Sequence, residues 1–341
     1  MKMSIWVCLI CCLFFTGSAL AFNSQITAGI ERITESTKYE NNNDYEEKGD
    51  QTTNEFYIGY TYYLTPVEDY DAPLDLLPFF SRSSYVYGNF YSGSHEWELK
   101  DKDFDYTSKK NWTGFGLGGR YYFLPSTGIG LGFFTQEGDW EEEGDFADNS
   151  YDESRNGGNI SVDHYLNDRN RLSIKLSQTD RNREYDEYDD ERDYSWQWYI
   201  LSYTGVLDQH PNIYISIDIG KGTRKEERSY NEDDTDRDDR DYKHDLTKLS
   251  ATAGPVYRNF AVYLSLTQYK YDPKDNDHWE WEAEETYISI SPRYWFSEQL
   301  MVGCDLYQSS WKESGEDPDS DYESDYEQSG MGIEIIVRYR F

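Results

Sequence analysis

Few side chains in this sequence could make or break bonds, and they are poorly matched. Five histidines, His95, His164, His210, His244 and His278, are the only general-base candidates near neutral pH. In Asp163-His164 the ring falls on the apolar phase of its segment, close to a turn, and His210 lies in a tight turn. His244-Asp245 and Asp277-His278 lie in loop-like stretches where an Asp/His pair could activate water. No serine with a nucleophile signature accompanies them, and adjacency in sequence is not adjacency in space. Asp234, Asp236 and Asp238 have the first spacings of a calcium loop, but Asp239 replaces the turn glycine and Asp245 the closing glutamate. Cys8, Cys11 and Cys12 belong to the first 21 residues, leaving Cys304 with no thiol to pair with. The chain therefore reads as no enzyme, with no cofactor and no specific metal site.

Charge is the more informative chemistry. Of 341 residues, 66 are acidic and 32 basic, for a net charge of −34, which repels phosphate and argues against nucleic acid. Aromatic residues make up 17% of the chain, far too many for a disordered acidic polymer. The acids are bunched. Glu137 to Glu153 has nine carboxylates, and the stretches Asp180–Asp193, Glu226–Asp245 and Glu313–Glu327 are similar. Two readings stand: an electronegative vestibule that gathers cations, or a solvated, repulsive surface that binds nothing. From Asp317 to Glu327 the carboxylates alternate, as they would on one face of a strand or in a low-complexity loop. Tyr185, Tyr188 and Tyr194, set among carboxylates, could grip sugars by stacking.

Membrane-crossing strands are the elements that would arrange such charges. Residues 1–21 have Lys2, an apolar stretch from Ile5 to Phe15 and the small-residue end Ala19-Leu20-Ala21. This is the pattern of a cleavable signal peptide, with a single barrel domain expected over 22–341. No later run is apolar enough for a membrane helix, so any span must be built from strands. Segments with period-2 alternation recur. In the last, Met331, Ile333, Ile335, Val337, Tyr339 and Phe341 oppose Gly332, Glu334, Arg338 and Arg340, with Ile336 the odd apolar member. Ile213-Ile215-Ile217-Ile219 and Leu172-Ile174-Leu176 repeat the pattern. Segments beginning near residues 25, 54, 79, 112, 129, 156, 171, 194, 212, 246, 260, 285, 300 and 329 make about fourteen strands. Tight links such as Pro125–Gly128 and Arg258-Asn259 alternate with long acidic ones. Thr65 to Pro78, rich in proline, departs from this alternation and suggests an ordered periplasmic lobe. Trp112, Trp140, Trp196, Trp198, Trp295 and Trp311 fall near strand ends, where aromatic girdles are expected.

These features, with the closing Val337-Arg338-Tyr339-Arg340-Phe341, resemble the Gram-negative outer-membrane β-barrel proteins. That resemblance implies an outer-membrane location, contact with outer-membrane lipid, and recognition of the Phe341 end by the barrel-assembly machinery. Pro73 to Ser84 is similar to a stretch that enters a strand in general porins. The fold expected is an all-β, antiparallel up-and-down transmembrane β-barrel of about fourteen strands, with about twelve or sixteen also compatible. Extending the phase of the last strand gives inward, pore-lining candidates: Glu31, Asp163, Asp218, Asp305 and Glu334, with Arg82, Arg120, Lys175, Lys248, Arg293, Arg338 and Arg340. They could set ion preference in a pore or simply pair across strands. A porin passing small hydrophilic solutes or ions by diffusion, favouring cations, is the leading expectation. A non-conducting surface protein, an adhesin or binding platform using its acidic loops, is the alternative. A homo-oligomer is compatible with either.

Overall fold

The computed structural model describes residues 21–41, 46–68, 73–100, 105–144, 149–185, 191–208, 211–229, 240–273, 280–316 and 323–341. Fourteen strands run through them: β1 (Ala21–Asn41), β2 (Glu46–Glu68), β3 (Tyr85–Lys100), β4 (Asp105–Leu124), β5 (Thr127–Gly144), β6 (Asn149–Asn167) and β7 (Asn170–Tyr185). They continue with β8 (Glu191–Leu207), β9 (Asn212–Ser229), β10 (Arg240–Val256), β11 (Phe260–Pro273), β12 (Glu280–Trp295), β13 (Leu300–Glu316) and β14 (Glu323–Arg340). Each strand pairs antiparallel with its neighbours in sequence, and β1 closes the barrel on β14, from Gln25 opposite Arg340 to Asn41 opposite Ser324. The one interruption is a short helical segment between β2 and β3, a 3-10 turn over Leu74–Leu76 running into α1 (Leu77–Ser81).

Outward residues near the short turns form a continuous apolar band. On β9 it comprises Ile213, Ile215, Ile217 and Ile219, and on β14 Met331, Ile333, Ile335 and Val337. Ile174, Leu131 and Ile219 are more than half exposed, as expected where hydrocarbon replaces water as solvent. Above the band the strands keep pairing with polar residues on both faces. Where the stretches expected to be long acidic loops are described, they are strand. Glu137, Asp139, Glu141 and Glu143 lie on the exposed outer face of β5, with Trp140 and Glu142 facing inward. Asp325 and Glu327 are likewise on the exposed face of β14, with Tyr326 inside. Strand starts near the short turns match expectation within two residues (Thr127, Asn170, Asn212, Phe260, Leu300). Those at the far end begin earlier, as at Glu46, Asp105 and Asn149, because pairing continues where apolar alternation has stopped. The aspartate run over 234–238, together with Tyr188, His210 and Asp277-His278, lies outside the described residues.

Two expectations are corrected. The strand placed near residue 79 starts at Tyr85, because Pro78 opens a helical turn and Arg82 ends it in a left-handed conformation, φ 51°. The tryptophans do not form an outer girdle. Trp112, Trp140, Trp196, Trp198, Trp295 and Trp311 share the inward phase, and the outward aromatics are instead residues such as Tyr121, Phe123, Tyr294, Phe296 and Phe341.

Inside, bulky rings lie over glycines directly opposite on the next strand. Tyr307 pairs with Gly332, Tyr57 with Gly29 and Tyr87 with Gly118. A Cβ at Gly332 would come within 2.1 Å of the Tyr307 ring, whereas one at Gly59 would meet nothing nearer than 3.6 Å. Gly332→Val should therefore lower the unfolding free energy of the detergent-folded barrel by about 1 to 3 kcal/mol through overpacking. Gly59→Ala should leave it unchanged; the measurement is the temperature at which folded and unfolded forms interchange on electrophoresis.

Candidate functional site

The inner wall and the segment lying across its short-turn mouth make the candidate site. The segment begins at Pro73 and puts leucines at 74, 76 and 77 on a turn too short to bury them against itself. They bury against the barrel instead. Leu74 and Leu77 belong to one apolar cluster with Phe22 (β1), Tyr63 and Val67 (β2), Trp295 (β12), Met301 (β13) and Ile336 (β14). Leu76 joins a second with Val206 (β8), Val256 (β10) and Ala261 (β11), flanked by Tyr214 of β9. Each leucine is 2–4% exposed, so burial contributes about 2 kcal/mol apiece.

Polar tethers complete the attachment. The Leu74 N–H donates to Arg258 O at 3.0 Å, Tyr263 Oη donates to Asp75 Oδ2 at 2.5 Å, and Arg338 lies 3.5 Å from Asp75 Oδ1. Tyr165 Oη donates to Phe79 O, and Arg171 sits over the Phe79 ring. Arg82 donates to Pro125 O and Asp168 Oδ1 and stacks on Tyr165 at 4.4 Å. Contacts reaching this far around the ring place the segment across the mouth. Of the lobe expected over Thr65 to Pro78, the first residues belong to β2 and 69–72 lie outside the described residues, while the part from Pro73 on is folded across the mouth, with Ile336, odd in its strand's pattern, part of its seat.

The inward charges behave unequally. Arg82 is no wall residue: it caps the segment and ties it to two short turns. Arg340 is inward but fully buried beneath the segment, stacked between Phe22 at 4.5 Å and Trp295 at 3.9 Å, and donates to Leu74 O. Arg338 holds Asp75. Asp163, with no exposed surface, lies 2.8 Å from Arg120 and 3.9 Å from Arg171. Arg293 clasps both oxygens of Asp305 at 2.5 and 3.0 Å, and Lys248 stands 4.0 Å from Asp218. Glu31 accepts from Tyr307 Oη and Glu334 from Tyr57 Oη, each at 2.7 Å. Lys175 has no carboxylate within ion-pair distance among the described residues. Cross-strand pairing therefore accounts for about half the set.

Above the apolar band is a cluster that charge counting along the sequence does not reveal. Glu153 of β6, 5% exposed, accepts from Lys110 Nζ at 2.5 Å, from Arg183 at 3.2 Å and from Arg181. Burial, partly offset by Glu153, pushes the Lys110 ammonium down to about 8. Burial would raise Glu153, but Arg181 and Lys110 outweigh it and hold the carboxyl below its usual range. Rings surround these charges: Trp140 is stacked on Tyr151 at 5.1 Å, Tyr151 is 4.7 Å from Tyr185, and Tyr194 is stacked on Trp196. Arg183 lies within 6.0 Å of the Trp140, Tyr151 and Tyr194 ring centres. His244 is inward and buried on β10 while Asp245 is on the opposite, exposed face, so strand alternation separates that pair. Burial and then Arg224 lower the His244 ring to about 4, leaving it neutral near pH 7.

Glu153 is stabilising as a carboxylate. Its contribution is complete above the ordinary value of 4.5 and is lost as pH falls through the lowered one. Glu153→Gln should destabilise the barrel by about 3 kcal/mol near pH 7, because three cations lose their shared partner. It should also flatten the acid limb of a tryptophan-emission stability profile; an unchanged acid limb would show that Glu153 does not hold the cluster.

No protein-family model matches the chain, and no curated protein matches it. Solved structures do. The toluene transporter TodX of P. putida superposes with a TM-score of 0.58 at 8% identity, covering 94% of this chain and 90% of that one. A TodX monoaromatic hydrocarbon channel mutant reaches 0.62 at 9% identity, over 94% and 91% of the two chains. A Pseudomonas aeruginosa FadL homologue reaches 0.52 at 8%, over 94% and 90%. At such identities the likeness is one of fold, and the fold is that of an outer-membrane β-barrel.

Proposed function

We propose that the chain is an outer-membrane channel that admits small hydrophilic solutes by diffusion and is gated at its periplasmic mouth by residues 73–84. The observation that carries this reading is the lining. From Glu334 and Asp305 in the membrane to Glu153 above it, the inner wall carries charged side chains and tyrosine hydroxyls among its tryptophans and glycines, which suits a hydrated path rather than a solid apolar core. TodX and the FadL homologue are a transporter and a relative of one, which supports a transport role. The polar wall here favours a hydrophilic cargo over a hydrocarbon. The acidic outer face of the barrel rim would concentrate cations at the entrance.

The segment lying across the mouth also favours a second reading, a surface protein whose lumen never conducts. Planar-bilayer recording separates the two. The wild-type barrel should open rarely. Asp75→Ala, which frees Arg338 and Tyr263, and Leu76→Ser, which weakens one apolar seat, should each raise open probability severalfold. Replacing 74–81 with a glycine-serine linker should give steady conductance with a cation-biased reversal potential that weakens at 1 M salt. A folded linker variant that never conducts would establish the non-conducting reading.

A further inference from the structure

Charge inside the barrel is sorted around the ring as well as paired across strands. Arg155 and Arg181 stand directly opposite each other on β6 and β7, a like-charge cross-strand pair of the kind that is unfavourable without an anion between. Arg181 shares Glu153 with two other cations, whereas Arg155 has no carboxylate at ion-pair distance among the described residues. Its guanidinium lies over the Phe134 ring at 5.7 Å. Its side chain is exposed to the lumen, and the neighbouring Arg181 charge disfavours a second cation there, the condition a bound anion would relieve.

The far wall is the mirror case. Among the described residues Glu35 of β1 accepts only from Ser309, at 3.1 Å, and Glu285 of β12 accepts from the Tyr287 and Tyr271 hydroxyls. Neither has a basic partner among the described residues. Burial first, and then the neighbouring Glu35 carboxylate, raise Glu285 above its usual range. Glu35 and Glu285 flank β13 and β14, which lie half-way round the ring of fourteen from β6 and β7. The heights agree as well. Arg155, Arg181 and Glu35 each stand five residues above the last apolar outward residue of their strand (Ile160, Leu176, Ile30), and Glu285 stands three above Ile288.

We propose that the lumen just above the membrane band binds a zwitterionic solute, its carboxylate on Arg155 and Arg181 and its ammonium at Glu35 and Glu285. A lone anion would meet the acidic wall and a lone cation the arginines. A molecule carrying both charges at opposite ends satisfies both like-charge pairs at once. This rests on the reading of the lumen as a solute path, and narrows the cargo to one class.

The test uses the full folded barrel in detergent at low salt, with lumenal tryptophan emission and calorimetry as readouts. The probes are 6-aminohexanoate, its N-acetyl derivative, which lacks the positive charge, and 6-aminohexanamide, which lacks the negative one. The zwitterion should bind at least tenfold more tightly than either. Arg155→Gln with Arg181→Gln should reduce its affinity to that of the amide. Glu35→Gln with Glu285→Gln should reduce it to that of the N-acetyl compound. Arg155→Lys, which keeps the charge, should retain most of the binding and controls for folding. Equal binding of either singly charged compound, or no binding of the zwitterion to the folded wild type, overturns the proposal. Binding is read with the mouth shut, so an absence of conductance would overturn the channel and leave this site standing. Conductance without zwitterion preference would do the reverse.

Discussion

The requirement that no backbone N–H or C=O be left unpaired in hydrocarbon governs everything else in this structure. It is met only by closing the sheet, and closure rests on the seventeen-residue register between β1 and β14. Once the sheet is a ring, each strand must give one face to lipid and the other to the interior. A chain with a mean hydropathy of −0.90 can then occupy a membrane, because apolar residues are needed only at alternate positions over a short height.

Much of this was legible in the sequence, and the misses have physical causes. Strand number and the short-turn ends followed from apolar alternation, which is strongest where lipid imposes it, as at Ile213 to Ile219. The far ends were misplaced because, above the membrane, residues such as Asp139 and Asp152 face water on the outside while Glu142 and Glu153 face a wet interior. Polarity then stops distinguishing the faces, although the ladder continues. Trp112 and Trp140 lie near strand ends, where a girdle is expected, but position along a strand does not fix the face a ring takes. They share the phase of Lys110, which faces inward.

The inward charges were mostly found, but not their partners. Phase alone identifies Asp305 and Arg293 as lumenal, and their bidentate contact is a matter of neighbouring strands in register. The segment over 73–84 was the least legible element. Its leucines and phenylalanines resemble a strand entry, and their helical seat depends on surfaces supplied by strands far along the chain. Ile336, an isoleucine on the polar phase, marks one place where something apolar docks, beside other inward apolar residues such as Met301 and Val206.

Arg340 ties two events together. It lies on the last strand, β14, opposite Gln25 of the first, and its guanidinium reaches the carbonyl of Leu74. The apolar seat of Leu74 and Leu77 likewise draws on β1, β2, β12, β13 and β14, surfaces that come together only when the seam between the termini zips up. The obstruction cannot settle in a half-built cylinder. Completion of the wall and docking of this crossing segment are therefore one cooperative act, so that a finished cylinder carries its crossbar from the start.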